Sequence, residues 1–194
     1  MTTIERICVY CGASANVDES YRAAAIRMGS VLAENGIGLV YGGGRIGLMG
    51  LMADSALAHG GQVTGIIPAH LHEHEIGHTG LTRLTVVGSM HERKQMMIEL
   101  ADAFAILPGG FGTLEEALEC ITWRQLGLHD KPILLVDVQN YWVPLLRLFE
   151  HVVDSGFAPS STRALYQVLS RVEDVPGAIR QAPPPKAAAK SGLV

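Results

Sequence analysis

Residues 108–116 read PGGFGTLEE, which places three glycines, a threonine hydroxyl and two carboxylates in one short stretch. Gly109, Gly110 and Gly112 free the backbone to present N–H groups, and the periodicity that follows predicts a helix over 113–127. The positive end of that helix, beside the Thr113 hydroxyl, suits a phosphate monoester. A plainer reading exists. Thr113-Leu114-Glu115-Glu116 also fits a capping box, with Glu116 reaching back to the Thr113 N–H. A capping box alone requires neither Pro108 nor the glycines. Two adjacent carboxylates would also repel an anion unless one has a chemical role or a cationic partner.

A cationic candidate lies upstream in SMHERKQMMIELAD, residues 89–102. At helical spacing Met90, Arg93, Met97 and Ala101 share one stripe. An arginine among apolar residues is costly unless it pairs with a carboxylate or phosphate; the alternative is an arginine that snorkels from a half-exposed helix. Lys94, offset by one position, adds a second cation at the same end. A second glycine loop, YGGGRIGLMG at 41–50, contains G-x-G-x-x-G between a strand and a helix. Gly43 and Gly44 are candidates there for phosphate or backbone contact. A dinucleotide site would need an acid at the end of the next strand to hold a ribose. That strand runs Ile66-Ile67-Pro68-Ala69-His70, which argues against an NAD enzyme. The glycines could instead serve only close packing of strand on helix.

The elements that would position these loops are legible from periodicity. Short apolar runs at 5–11, 37–41, 62–67, 82–87, 103–107 and 132–138 read as strands buried on both faces. Helical patterns lie between them at 18–35, 47–59, 89–101, 113–127 and 141–156, the first capped by Asp18 and ended by Gly36. Residues 165–169 could add an edge strand and 172–181 a last short helix. Such alternation predicts an α/β fold, a doubly wound parallel sheet flanked by helices. Ligands then bind outside the carboxyl ends of the strands, in the loops after Cys11, Tyr41, Ile67, Val87 and Leu107. One domain over 1–182 is expected, with a Pro- and Ala-rich tail at 183–194 expected to be disordered.

Bulk properties narrow the function. A net charge of −4 over 194 residues argues against nucleic-acid binding. No apolar run is long enough to span a bilayer, and the amino terminus lacks a signal-peptide pattern, so a cytoplasmic protein is expected. Cys8 and Cys11 form C-x-x-C, but an odd separation along a strand sends the two thiols to opposite faces, and Cys120 stands alone. The histidine-rich stretch HLHEHEIGH at 70–78 offers His70, His72, His74, His78, Glu73 and Glu75 as ligands. It shows no fixed i, i+4 helical pair and no zinc-type spacing, and Pro68 and Gly77 flank it; a loop is expected, and no metal.

Together, YGGGRIGLMG, MHERK at 90–94 and PGGFGTLEEALECITWRQLGLHDKP at 108–132 closely resemble the LOG family of cytokinin riboside 5′-monophosphate phosphoribohydrolases. The resemblance runs from VYCGAS at 9–14 to about Gly156. It implies a Rossmann-like homodimer with active sites at the subunit interface. It further implies hydrolysis of the N-glycosidic bond of an N6-substituted adenosine 5′-monophosphate, giving free base and ribose 5-phosphate without metal or cofactor. Arg93 and Glu116 fall on the family's catalytic positions. Lys94 and the run Gly109, Gly110, Phe111, Gly112, Thr113, Leu114 and Glu115 fall on nucleotide-binding positions, and Glu75 and Thr122 on positions lining the substrate site. Phe111 stands where the family often has Tyr, so no role attaches to that hydroxyl, and 70–78 departs further from the pattern. Glu116 is assigned to stabilise the cationic ribose or to activate water. Arg93 is assigned to keep Glu116 ionised and to orient the phosphate. Glu115, about a third of a helical turn away, is assigned to ribose hydroxyls.

Three other readings stand beside this one. A general AMP nucleosidase would share the phosphate loop. A non-catalytic nucleotide or molybdenum-cofactor carrier would need the loop but not a carboxylate at the glycosidic carbon. The label lysine decarboxylase, often attached to the family, would need a pyridoxal Schiff base, yet the lysines are only Lys94, Lys131, Lys186 and Lys190. For the dimer, Met96, Met97, Ile98, Ile121 and Trp123 suggest more apolar surface than one sheet face covers.

Overall fold

The computed structural model describes residues 4–75 and 77–182, with the side chains of 73–75 excluded. The expected tail at 183–194 lies outside the described residues. Seven parallel strands form one sheet in the order β4-β3-β2-β1-β5-β6-β7. They are β1 Arg6–Tyr10, β2 Gly38–Tyr41, β3 Val63–Pro68, β4 Arg83–Val87, β5 Ala103–Ile106, β6 Ile133–Val136 and β7 Gln167–Leu169. β2, β5 and β6 consist almost wholly of buried apolar residues, as central strands covered on both faces require.

The helices are α1 Glu19–Glu34, α2 Gly47–Ala58, α3 Ala69–Glu75, α4 Met90–Leu100, α5 Phe111–Gln125, α6 Val143–Asp154 and α7 Val175–Gln181. Asp18 caps α1 by accepting from the Ser20 N–H at 2.9 Å, and Gly36 follows the helix with φ +67°, as left-handed helix ends favour. α1 and α2 cross closely at Gly29, where a Cβ would lie 2.2 Å from the Met52 carbonyl oxygen. Two cores result, one on each face of the sheet. Cys11 belongs to the first and Cys8 to the second, so the C-x-x-C thiols do face opposite ways, and all three cysteines are free and buried.

Two local expectations fail. Residues 70–75 lie in α3 instead of a loop; the stretch has no apolar stripe to announce a helix, only Leu71 among polar neighbours. The helix sets His70 and His74 one turn apart, against the expectation of no such pair, yet among the described residues no group of three or more His, Cys, Asp or Glu could hold a metal ion. Second, α5 begins at Phe111 with Gly110 as its N-cap. Thr113 therefore sits inside the first turn, not at the cap, which removes the capping box. Among the described residues no helix is long and apolar enough to cross a membrane.

Candidate active site

The chain leaves β1 for β2 on one side and, after β4, returns to lay β5 on the other. Their carboxyl ends diverge at this switch point, where open α/β sheets bind ligands. Two loops meet there: the Gly12 N–H donates to the Pro108 carbonyl at 3.1 Å, and the Leu48 N–H at the start of α2 donates to the Gly12 carbonyl at 3.1 Å. A cavity of about 620 Å³ opens above them, a size suited to a small ligand.

Of the residues expected at a site, Arg93, Gly109, Gly110, Gly112, Thr113 and Glu116 line this one cavity. The α5 amino terminus carries no side-chain cap, so first-turn N–H groups stay available to an anion. Gly109 cannot bear a side chain, since a Cβ would lie 2.1 Å from Thr113 Oγ1 and 2.8 Å from the Gly12 nitrogen. Thr113, only 5% exposed, occupies the space beside Gly109 that a side chain there would need.

Arg93 comes from α4 and Glu116 from α5. Each side chain is 11% exposed, and Arg93 Nη2 stands 3.6 Å from Glu116 Oε1. That is an ion pair without a hydrogen bond. Arg93 Nη1 contacts Met90 Sδ at 3.3 Å, while its Nε is buried with no hydrogen-bond partner. The guanidinium thus retains donors, as a phosphate or carboxylate ligand would require. Gly42 makes room for it: a Cβ there would lie 2.0 Å from Arg93 Nη2. Burial pushes the Glu116 carboxyl up to about 7 against the opposing pull of Arg93. Arg93 is expected to keep Glu116 ionised, and its pull is in that direction, but desolvation outweighs an ion pair of that length and the net shift is upward.

The other expected residues lie elsewhere. Lys94 Nζ donates to Glu115 Oε1 at 2.5 Å and Glu119 Oε1 at 3.0 Å, tying α4 to α5 beside the cavity, not within its wall. Burial would lower the Lys94 ammonium, but these two carboxylates raise it on balance. Phe111 is 92% exposed, Leu114 packs on the second core and Thr122 is exposed. Gly43 and Gly44 bond to the segment after α3, through the His78 N–H to the Gly43 carbonyl and a bridge between Gly44 and Gly77; neither lines the cavity. Glu75 ends α3, and its side chain lies outside the described residues.

Sequence reasoning missed several lining residues. Gly12, Ala13 and Ser14 lie in the loop after Cys11, which the sheet pattern marks as a ligand loop without singling out its residues. Val17, Tyr21, Leu48, Met49, Leu71 and Met90 give the cavity an apolar wall. Tyr141 also lines it, donating its hydroxyl to the Gly109 carbonyl at 2.6 Å.

A family model described as possible lysine decarboxylase matches residues 49–179. The chain is 45% identical over 179 residues to the cytokinin riboside 5′-monophosphate phosphoribohydrolase of Rhodococcoides fascians, covering 92% of this chain and 90% of that protein. It is 47% identical over 159 residues to the phosphoribohydrolase LOG1 of Arabidopsis thaliana, covering 82% of this chain and 75% of the relative. Among solved structures, a molybdenum cofactor binding protein from Rippkaea orientalis superposes with a TM-score of 0.72 at 19% identity, covering 93% of this chain and 98% of that one. That likeness shows the fold alone. The decarboxylase description finds no support in the lysines: of the two in the described region, Lys94 is held by two carboxylates and Lys131 donates to the Ile98 carbonyl at 2.6 Å, and neither lines the cavity. Identity of this extent across most of the sequence shows that the chain belongs to the LOG family of cytokinin riboside 5′-monophosphate phosphoribohydrolases.

Proposed function

We propose that this chain hydrolyses the N-glycosidic bond of N6-substituted adenosine 5′-monophosphates. The observation that carries the proposal is the buried Arg93–Glu116 pair facing an uncapped helix end in one cavity. Breaking the bond between C1′ and the base nitrogen develops positive charge on the ribose. Glu116, when ionised, stabilises that charge and takes a proton from the attacking water. The water oxygen bonds to C1′, the bonding pair leaves with the base, and the proton taken by Glu116 passes on to the base, which leaves neutral and returns Glu116 to its carboxylate. The products are the free base and ribose 5-phosphate. The α5 amino terminus and Arg93 hold the 5′-phosphate, and the apolar wall from Val17 to Met90 receives the base and its N6 substituent.

A carrier would need the cradle but not a buried carboxylate poised near neutrality, and Glu116 favours the hydrolase. No metal or cofactor enters this scheme. The enzyme works as a homodimer in the cytoplasm; exposed Phe111, Leu118, Leu126 and Leu128 on and beyond α5 support an interface there. Met97, Ile98 and Ile121, expected to supply that surface, are buried in the chain's own core, with Met96 and Trp123 packed against it. Product analysis on AMP, on isopentenyladenosine monophosphate and on its nucleoside tests the reading. Release of free base fastest from the isopentenyl nucleotide is expected. Equal rates on AMP would reassign the chain as a general nucleosidase, and no base release from any substrate would leave only a binder.

A further inference from the structure

After β6 the chain runs Asp137-Val138-Gln139-Asn140-Tyr141-Trp142 before entering α6. Gln139 and Asn140 adopt left-handed backbone with φ 54° and 58°, the only non-glycine residues with positive φ among the described residues. Two successive side-chain-bearing residues keep such a conformation only where the surroundings over-determine it. Both flanks are pinned. The Asp137 N–H donates to the Leu169 carbonyl at 2.7 Å, the Trp142 N–H donates to Asp137 Oδ1 at 2.7 Å, and Trp142 is fully buried. Tyr141 projects from this turn into the cavity wall. Its ring meets Tyr21 edge-on at 5.6 Å and Trp142 at 4.8 Å, and its hydroxyl reaches the Gly109 carbonyl.

The peptide joining Gly109 to Gly110 has glycine on both sides, so little in its own dihedral preferences fixes its orientation. In a trans peptide the C=O and N–H point in opposite directions. Holding the Gly109 carbonyl therefore sets the direction of the Gly110 N–H. We propose that Tyr141 is a positioning residue for the phosphate cradle: its hydroxyl fixes the Gly109–Gly110 peptide so that the loop meets the substrate 5′-phosphate already ordered. This rests on the nucleotide reading above.

Tyr141→Phe keeps the ring contacts and removes only the hydroxyl. Calorimetric titration with ribose 5-phosphate, together with kcat and KM on the nucleotide, tests the role. The variant is expected to bind ribose 5-phosphate about tenfold more weakly and to raise KM for the nucleotide by a similar factor. The melting temperature should fall by no more than the few degrees that one lost hydrogen bond costs, and the loss in kcat/KM should be smaller on the nucleoside than on the nucleotide, because the nucleoside has no phosphate to hold. A general structural defect would instead lower the melting temperature further and slow both substrates equally. Equal binding by wild type and variant, or a loss shared equally by nucleotide and nucleoside, overturns the positioning role and leaves the nucleotide reading intact. If wild-type protein binds neither ribose 5-phosphate nor nucleotide, both fall together.

Discussion

Arg93 Nη2 stands 3.6 Å from Glu116 Oε1, near enough to bias the carboxylate and too far to satisfy either group. The gap has two consequences. Arg93 keeps donors for a ligand anion, and Glu116, mostly desolvated, is pushed up to about 7. A carboxyl so placed changes charge near neutral pH, as a group that exchanges protons with water and substrate should.

Glu116→Gln separates the chemical role from a packing role. The amide keeps the shape and loses the charge, so turnover on the nucleotide should fall by roughly 10²–10⁴-fold. Arg93→Ala should lose a comparable factor, and the double variant should be far from additive if the two act as a unit. Steady-state kinetics on the three proteins would decide it. A Gln variant near wild-type turnover removes Glu116 from the chemistry.

Stability should respond to the same substitution in the opposite sense. Glu116 binds its proton more tightly in the folded state, at about 7, than at the ordinary carboxylate value of 4.5. Between those values the native protein holds more protons than the unfolded chain, so this group makes stability fall as pH rises from about 4.5 to 7 and adds no slope above. The accumulated cost at pH 8 is on the order of 3 kcal/mol. Glu116→Gln escapes it, so at pH 8 its melting temperature should match or exceed that of the wild type. A clear drop at pH 8, measured by calorimetry, would mean that the ionised carboxylate stabilises the fold.

The pH dependence of kcat/KM offers an independent view. Both roles proposed for Glu116 need the ionised form, so activity should rise with pH through about 7. The substrate phosphate also titrates, near pH 6, so the position of the limb alone is ambiguous. Arg93 lowers the Glu116 value; in Arg93→Gln the limb should therefore move upward, while the substrate's own titration stays put. A limb that does not move in this variant points to the phosphate as the titrating group.

Much of this arrangement was legible in the sequence, for reasons that differ by element. β2, β5 and β6 sit under helices on both faces, so their residues are apolar without alternation. Arg93 stood out because Met90, Met97 and Ala101 share its stripe. Other features depend on tertiary context. The α5 start was misplaced because Thr113 has a capping residue's chemistry, whereas Gly110 caps through backbone geometry alone. α3 carries no periodic apolar signal. Tyr141 meets Gly109 across 32 residues of sequence, and that contact exists only because β6 lies beside β5. Spacing alone does not say which side of α4 and α5 the sheet covers, so Met96, Met97, Ile98, Ile121 and Trp123 read as surplus apolar surface although the chain's own core takes them up.

Phosphate should be required for fast turnover. If the cradle supplies about 3 kcal/mol of transition-state binding, the nucleoside reacts roughly 100-fold more slowly in kcat/KM than its 5′-monophosphate. Paired assays on isopentenyladenosine and its monophosphate measure the ratio directly. A ratio near one would detach the α5 amino terminus from the substrate.

Association is testable through α5. Leu118 is 43% exposed and lies two turns after Phe111, which is 92% exposed, so both project from one side of the helix. If a second copy covers that side, light scattering at micromolar concentration should give a dimer mass for the wild type. Leu118→Lys would then place a charge in an apolar contact and shift the population toward monomer, with little effect on the chain's own core because Leu118 is not buried there. Activity separates a shared site from simple association. A monomeric Leu118→Lys variant should lose activity in proportion to the dimer lost, recovering as protein concentration rises, if the partner completes the site. A fully active monomer would show that the cavity between the β1 and β5 loops suffices by itself, and the proposal of interfacial active sites would be withdrawn.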